Sequence, residues 1–558
     1  MDWGSSRALI RVSLVFVAVI SSIVAIVWVA VGTEPESPAR KAVREFTDRL
    51  DAKDVKGAAA LTSYPSAAEA EIGKLLSGLE PGKADYELSR MIDLDATDAF
   101  FTLTVAWHFG PGRDWAYSVP GTVRKLTVGW RISWDSSVLL PHLGQGRAAR
   151  QVKTYAPPPV VRDLAGGPLM TEQTLNVVEL DPARAPDRTA AANAVAAAIA
   201  PVAPAITAPA LLAQLDAAGG KPITAVTLRN DDFEVLNPSL VSIPGVVVHQ
   251  NPKLISADRR IHSPVLDGLR AAWQQNREST AGWAVRVFGT DGAVIGQLTG
   301  FQGPQGPDIA ATLDPRLQMA AEDAAVSSVS AAEIVAIRPS TGAVLAVAQN
   351  DPADDQGPVA LTGLYPAGDL VNMFGGAVNA PTRHDMLGPR VANLLNRLGI
   401  GIDAKVPFLK TDTGRVRTTG RIEWIVRIPG QEALRVSPFG MALAAATIAR
   451  GTTPVPMIAL GQPRVKSLGQ QPLRPEEVDR MRAQMAASTA NPMYAEDLRS
   501  CPGLTGYTGY AGEDQWFLAN RGDVALAIHI ANTTDEGMNA AARMAGRLCR
   551  AFDAPIAP

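Results

Sequence analysis

Twenty consecutive residues without a charge, Val12 to Val31 ("VSLVFVAVISSIVAIVWVAV"), constrain this chain more than any other stretch. Wound as a helix they would reach about 30 Å, the hydrocarbon thickness of a bilayer. Arg7 and Arg11 precede the stretch and Glu34 and Glu36 follow it. The positive-inside rule therefore predicts a cytoplasmic tail at 1–11, a transmembrane anchor at 12–31 and an extracytoplasmic remainder, a single-pass arrangement in the plasma membrane. The run is long for the apolar core of a secretory signal, and no Cys follows it to accept a lipid, so an uncleaved anchor is expected ahead of a cleaved signal.

The 558 residues exceed what one hydrophobic core holds, which predicts a multidomain chain. Lys and Arg total 52 against 55 Asp and Glu, a net charge of -3 that offers no electrostatic case for nucleic acid. Cys501 and Cys549 are the two cysteines. In an oxidising compartment they can form a disulfide, the alternative being two separate buried thiols.

Beyond the anchor, Ser37 and Pro38 open a helical pattern with Ala39, Val43, Phe46 and Leu50 on one face. From Phe100 the period changes. "AFFTLTVAWHF", "DWAYSVPGTVRKLTV" and "GWRISWDSSVLL" read as strands, and a small α+β domain is expected over 38–151, with Trp107, Trp115, Trp130 and Trp134 filling its core. "YAPPPVVRDLAGGPLM" breaks the chain. The region 156–307 mixes strands with an Ala-rich stretch whose prolines predict short helices, and it reads as a pedestal without clustered catalytic residue types. Over 308–558, Asp314 and Pro315 start a helix, "EIVAIRPSTGAVLAVAQN" is a hairpin, and three more strands and an amphipathic helix close the sequence. This order predicts a five-stranded antiparallel sheet between helices.

Local signatures agree with that layout. "WRISWDSSVLLPHLGQG" resembles the close of the nuclear-transport-factor-like domain at the front of some class B penicillin-binding proteins. "VRDLAGGPLMTEQTLNVVELDP" is similar to the opening of their pedestal. "ATLDPRLQMAAEDA", "EIVAIRPSTGAVLAVA", "GPVALTGLYP" and "RVSPFGMALAAATIARGT" resemble successive segments of their transpeptidase domain, in the family's order. The resemblance implies a β-lactamase-like transpeptidase fold over 308–558 and a role in peptidoglycan cross-linking.

That chemistry needs Ser-x-x-Lys, Ser-x-Asn and Lys-Thr-Gly. The first supplies a nucleophile and a group to take its proton. The last holds the substrate carboxylate, and a backbone N–H there joins the nucleophile's own N–H around the oxyanion. Aligning "LYPAGDLVNMFGG" puts Asp369 at the Ser position and Asn372 at the Lys position, while "GYTGYAG" puts Tyr507 where the last motif has Lys; Thr508 and Gly509 remain. No Ser-x-x-Lys, Lys-Thr-Gly or Lys-Ser-Gly occurs anywhere in the chain, and no Ser-x-Asn lies in the short insertion from Met373 to Gly430. A carboxylate attacking an amide would form a mixed anhydride and would repel an anionic ligand, so Asp369 reads as a helix cap.

The resemblance thus implies a pseudoenzyme that binds in the cell envelope, with stem peptides or envelope proteins as partners. Thr508, Gly509 and Tyr510 offer an edge strand for an extended peptide. An active D,D-transpeptidase with an unrecognised nucleophile, and a pure assembly or signalling scaffold, are the alternatives. Nothing in the sequence fixes the oligomeric state. No cofactor is expected: His108, His142, His249, His262, His384 and His529 are scattered without metal-ligand spacing, "GFQGPQGPD" lacks the context of a phosphate loop, and Glu513–Asp514 reads as a solvated turn.

Overall fold

The computed structural model describes residues 36–144, 146–374, 389–416, 434–462, 471–534 and 536–553. The anchor expected at 12–31 lies outside them, as does much of the insertion after Met373. Among the described residues no helix is long and apolar enough to cross a membrane. The chain is a multidomain α+β protein of two compact units. One runs up to Ala156 and takes in Ala281–Pro304; the other combines Pro157–Thr280 with the chain from Gln305 onward.

In the first unit, α1 (Pro38–Asp51) starts where Ser37 Oγ accepts the Arg40 N–H at 3.2 Å, and it buries Ala39, Val43, Phe46 and Leu50. Helices α2 (Val55–Ala60) and α3 (Pro65–Gly78) come next. Strands β1 (Lys83–Asp93), β2 (Asp98–His108), β3 (Asp114–Leu126) and β4 (Gly129–Ile132) form an antiparallel sheet in chain order. Trp107 is buried and donates to the Tyr117 hydroxyl at 3.2 Å, which in turn donates to Leu139 O at 2.7 Å, so the indole's polar edge is satisfied inside the core. Trp115, Trp130 and Trp134 pack against this core half-buried.

The boundary expected near residue 151 is displaced. Strand β5 (Ala148–Thr154) pairs with Gly282–Phe288, which pairs with Val294–Phe301, and Trp283 and Val285 enter the same core as α1 to α3. Residues 281–304 therefore belong with the first unit rather than with a continuous pedestal over 156–307. Trp283 and Val285, two residues apart on one strand, turn to the same face and fill that core.

In the second unit the long strand β6 (Pro168–Leu180) pairs with β7 (Ile223–Arg229) and with β8 (Val246–Ser256). The Ala-rich stretch forms two short helices, α4 (Arg188–Ile199) and α5 (Ala208–Ala217), interrupted at Pro201 and Pro204. Helix α6 (Asn230–Leu240) completes their core, and α7 (Val265–Ser279) buries Trp273, whose indole donates to Pro159 O at 2.8 Å.

Asp314 Oδ1 then caps α8 (Pro315–Ala325), accepting from the Arg316 and Leu317 N–H groups. Strands β9 (Ala332–Ile337), β10 (Val344–Gln349), β11 (Thr505–Ala511), β12 (Asp514–Arg521) and β13 (Val524–Ile530) form one antiparallel sheet, ordered β10-β9-β13-β12-β11. Both faces are covered. Trp516 and Leu518 point into a core shared with α9 (Pro438–Arg450), whereas Phe517 and Ala519 meet α8 and α11 (Ala540–Asp553) on the other side. Helix α9 is apolar on all sides because it is buried on all sides. Cys501 and Cys549 are bridged, with Cα atoms 5.5 Å apart, tying α11 to the loop before β11.

Candidate functional site

The segment aligned with a nucleophile elbow lies across the edge of the five-stranded sheet. Tyr365–Pro366 pairs with Leu434–Val436. Gly368 then turns the chain with φ +54°, and a Cβ there would collide with the Tyr510 carbonyl, so glycine is required on both counts. The chain continues as a 3-10 turn, Gly368–Asn372.

Asp369 does not cap this turn. It sits inside the first turn, and its Oδ1 accepts the N–H of Tyr510 on β11 at 2.6 Å. The expected cap is thus a bond across the fold, because a residue within the turn directs its carboxylate at the neighbouring strand rather than back at its own helix. Partial burial pushes the Asp369 carboxyl above the usual range; two backbone N–H groups, that of Tyr510 and its own, pull the other way. The family resemblance implies oxyanion donors at the nucleophile's own N–H and at a backbone N–H of this edge strand.

The remaining positions are set by strand register. Gly509 lies under the elbow, where a Cβ would strike Leu370. Thr508 is buried, its hydroxyl finds no partner among the described residues, and its N–H donates to Ser488 Oγ on α10 (Pro475–Thr489) at 3.3 Å. Two alternate N–H groups of this edge strand, at 508 and 510, are therefore already engaged by side chains. An incoming peptide strand would have to displace both Ser488 and Asp369.

Tyr507 packs half-buried against the core, and burial together with the Asp369 charge raises its phenol. The Tyr510 hydroxyl donates to Met538 O at 2.8 Å and lies 3.0 Å from the Tyr494 hydroxyl. Asn372 is exposed at the end of the turn. The structure thus joins Asp369 directly to Tyr510 and sets it against Gly509, with Tyr507 close by. The Tyr507 and Tyr510 phenols, their pKa values raised by burial, stay protonated at neutral pH.

The residues that hold the elbow down come from separate strands of the sheet. His529, with no exposed surface, sits in β13 with Nδ1 2.7 Å from Glu333 Oε2 of β9, itself fully buried. Its Nε2 lies 3.7 Å from Asp514 Oδ2. The Tyr365 hydroxyl donates to Glu333 Oε1 at 2.9 Å, and the Tyr365 ring stacks on the imidazole at 3.9 Å. Trp516 flanks the same imidazole at 4.4 Å and donates to Pro366 O at 3.0 Å. Glu333, His529, Trp516 and Gly509 stand directly opposite one another on successive strands, so one row across the sheet anchors Tyr365, Pro366 and the adjoining elbow.

Burial alone would lower the His529 pKa, but the Glu333 charge, its hydrogen bond to the imidazole and the nearby Asp514 carboxylate outweigh it and raise it. Asp514, read from sequence as a solvated turn residue, is only 22 % exposed. Burial works against its ionisation, yet His529 and the Asn532 N–H, which donates at 3.0 Å, lower its pKa overall. The one available signal was Glu333, the sole charge in the otherwise apolar run "AEIVAI".

Residues 38–147 match the family model of the NTF2-like N-terminal transpeptidase domain, consistent with a front end of the class B penicillin-binding type. No curated protein is significantly similar to the chain.

Proposed function

We propose that this chain is a membrane-anchored, extracytoplasmic relative of class B penicillin-binding proteins that acts in peptidoglycan synthesis or division by binding, without transpeptidase chemistry. The matched N-terminal domain supports the kinship. The order of the five-stranded sheet and its helical cover accord with a transpeptidase-like domain. The observation that carries the noncatalytic reading is the Asp369 carboxylate on the Tyr510 N–H. An active relative would need that donor for a developing oxyanion, and here a resident anion occupies it.

The closed edge of β11 favours partners that dock on other surfaces of the extracytoplasmic chain over a stem peptide laid along the strand. Incubation of the pure protein with a fluorescent penicillin tests the reading. No hydroxylamine-sensitive adduct is expected; a stoichiometric acyl adduct on any residue overturns it and restores a working D,D-transpeptidase.

A further inference from the structure

Five large apolar side chains crowd one end of the first unit's sheet. Ile92, Leu94, Phe100, Leu126 and Val128 are between 42 and 65 % exposed. Ile92 on β1 stands directly opposite Phe100 on β2, and Phe100 opposite Thr122 on β3, whose outward face continues through Arg124 to Leu126. Leu94 and Val128 lie in the two turns that close this end, and the turns meet where the Lys125 N–H donates to Thr97 O at 2.7 Å. One apolar tip results, pointing away from the core that holds Ala99, Phe101 and Val123.

The opposite end of the sheet has no such patch. Its β2–β3 turn is flanked by His108, Asp85 and Asp114, all exposed, with His108 Nδ1 2.8 Å from Asp114 Oδ1, while Phe109 is turned inward. Single exposed apolar residues are ordinary, but a contiguous group at one end marks a contact surface. The rim of the tip mixes Asp93, Asp95 and Asp98 with Arg90, Arg124 and Lys125, so neither sign of charge selects the partner and apolar contact is the driving force.

The path of the chain says what that partner is. Only residues 32–37 separate the apolar run ending at Val31 from the start of α1, and six extended residues reach about 20 Å. Asp51, the last residue of α1, accepts the Tyr86 N–H at 2.8 Å, six residues along β1 from Ile92. The helix also packs on β4, which pairs with β3 only at Val123–Leu126. Helix α1 therefore runs back from Tyr86 towards the tip, and its start, tied closely to the anchor, lies at the same end of the domain.

We propose that this tip dips into the outer surface of the bilayer beside the anchor, seating the first unit on lipid through Ile92, Leu94, Phe100, Leu126 and Val128. The inference rests on the membrane-anchored reading above. Apolar side chains on turns can enter the headgroup boundary while the turn backbone keeps its own hydrogen bonds.

The test uses the full chain in nanodiscs of phosphatidylcholine and phosphatidylglycerol, with and without 5-doxyl phosphatidylcholine as quencher. A bimane label is placed at Leu94→Cys, Val128→Cys, Arg113→Cys on the opposite turn, or Ala30→Cys in the anchor; the native cysteines are bridged and take none. The Leu94 and Val128 labels should lose at least twofold in fluorescence, and the Arg113 label should not change. In Ile92→Ser/Phe100→Ser the Val128 label should escape quenching; if it is still quenched, the dye and not the tip seeks lipid, and the proposal falls. Quenching at Ala30 with none at Leu94 and Val128 overturns the tip contact and leaves the anchor standing, whereas no quenching at any position overturns both. Disulfide-linked dimers of the unlabelled Leu94→Cys protein without lipid quenching would assign the patch to a second copy of the chain and equally overturn it.

Discussion

Replacing Glu333 by Gln removes one charge from a pair that water never reaches. Both Glu333 and His529 are 0 % exposed and 2.7 Å apart, so the imidazolium left behind would have no solvent to screen it. Breaking a buried pair from one side costs about 3–5 kcal/mol, and the Tyr365 hydroxyl would also lose its charged acceptor. Removing the whole group should cost far less. Glu333→Leu/His529→Leu/Tyr365→Phe removes both charges of the pair and the hydroxyl together, Asp514 keeps the Asn532 N–H as a donor, and apolar replacement of buried ion pairs is often neutral.

The pH dependence has a definite sign. The folded pKa of His529 lies above 6.5, so its contribution is fully present below 6.5 and fades as pH rises through the higher folded value. That alkaline loss should vanish in the triple variant. Urea unfolding followed by near-UV circular dichroism between pH 5 and 9 measures both effects. A Glu333→Gln cost under about 1 kcal/mol, or an unchanged pH profile in the triple variant, would refute the idea that buried charge, rather than packing, holds this row.

Asp369→Ala should speed hydrogen exchange at the Tyr510 amide by about tenfold, the worth of one hydrogen bond, whereas Asp369→Asn keeps an acceptor there and should change it little. Cys501→Ser/Cys549→Ser should lower unfolding stability by up to about 4 kcal/mol, the chain-entropy value for the 48-residue separation, read as a shift in the urea midpoint. Burial would raise the Glu477 pKa, but its bonds to Arg397 and Arg474 bring it down to about 2. Stability from this carboxylate is therefore present above 4.5 and lost as pH falls towards about 2, and Arg397→Ala should move the acid-unfolding midpoint to higher pH.

Features set by near neighbours were legible from the residues alone. The spacing of Ala39, Val43, Phe46 and Leu50 identified the buried face of α1, Asp314 and Pro315 marked the start of α8, and the Ser-Thr-Gly turn marked the hairpin of β9 and β10. The features that escaped depend on register between distant strands. Glu333 and His529 are 196 residues apart and meet only because β9 pairs with β13. Trp283 and Val285 carry a clear two-residue period, but nothing local says that their partner strand is β5 rather than another part of the pedestal. At the elbow the positions of Asp369 and Tyr507 were readable by alignment. The bond to Tyr510 was not, because it depends on how closely Gly368 lets two backbones approach.

The discontinuous first unit constrains the order in which this protein can mature. Its core lacks Trp283 and Val285 until the ribosome has passed the intervening Pro157–Thr280 segment. At common elongation speeds that is a wait of roughly 6–25 s. Through that interval the apolar surface around Phe109, which later packs 5.1 Å from Trp283, is left open to whatever chaperone or lipid surface is nearest. Any excised N-terminal fragment that stops short of Trp283 would carry the same vulnerability permanently.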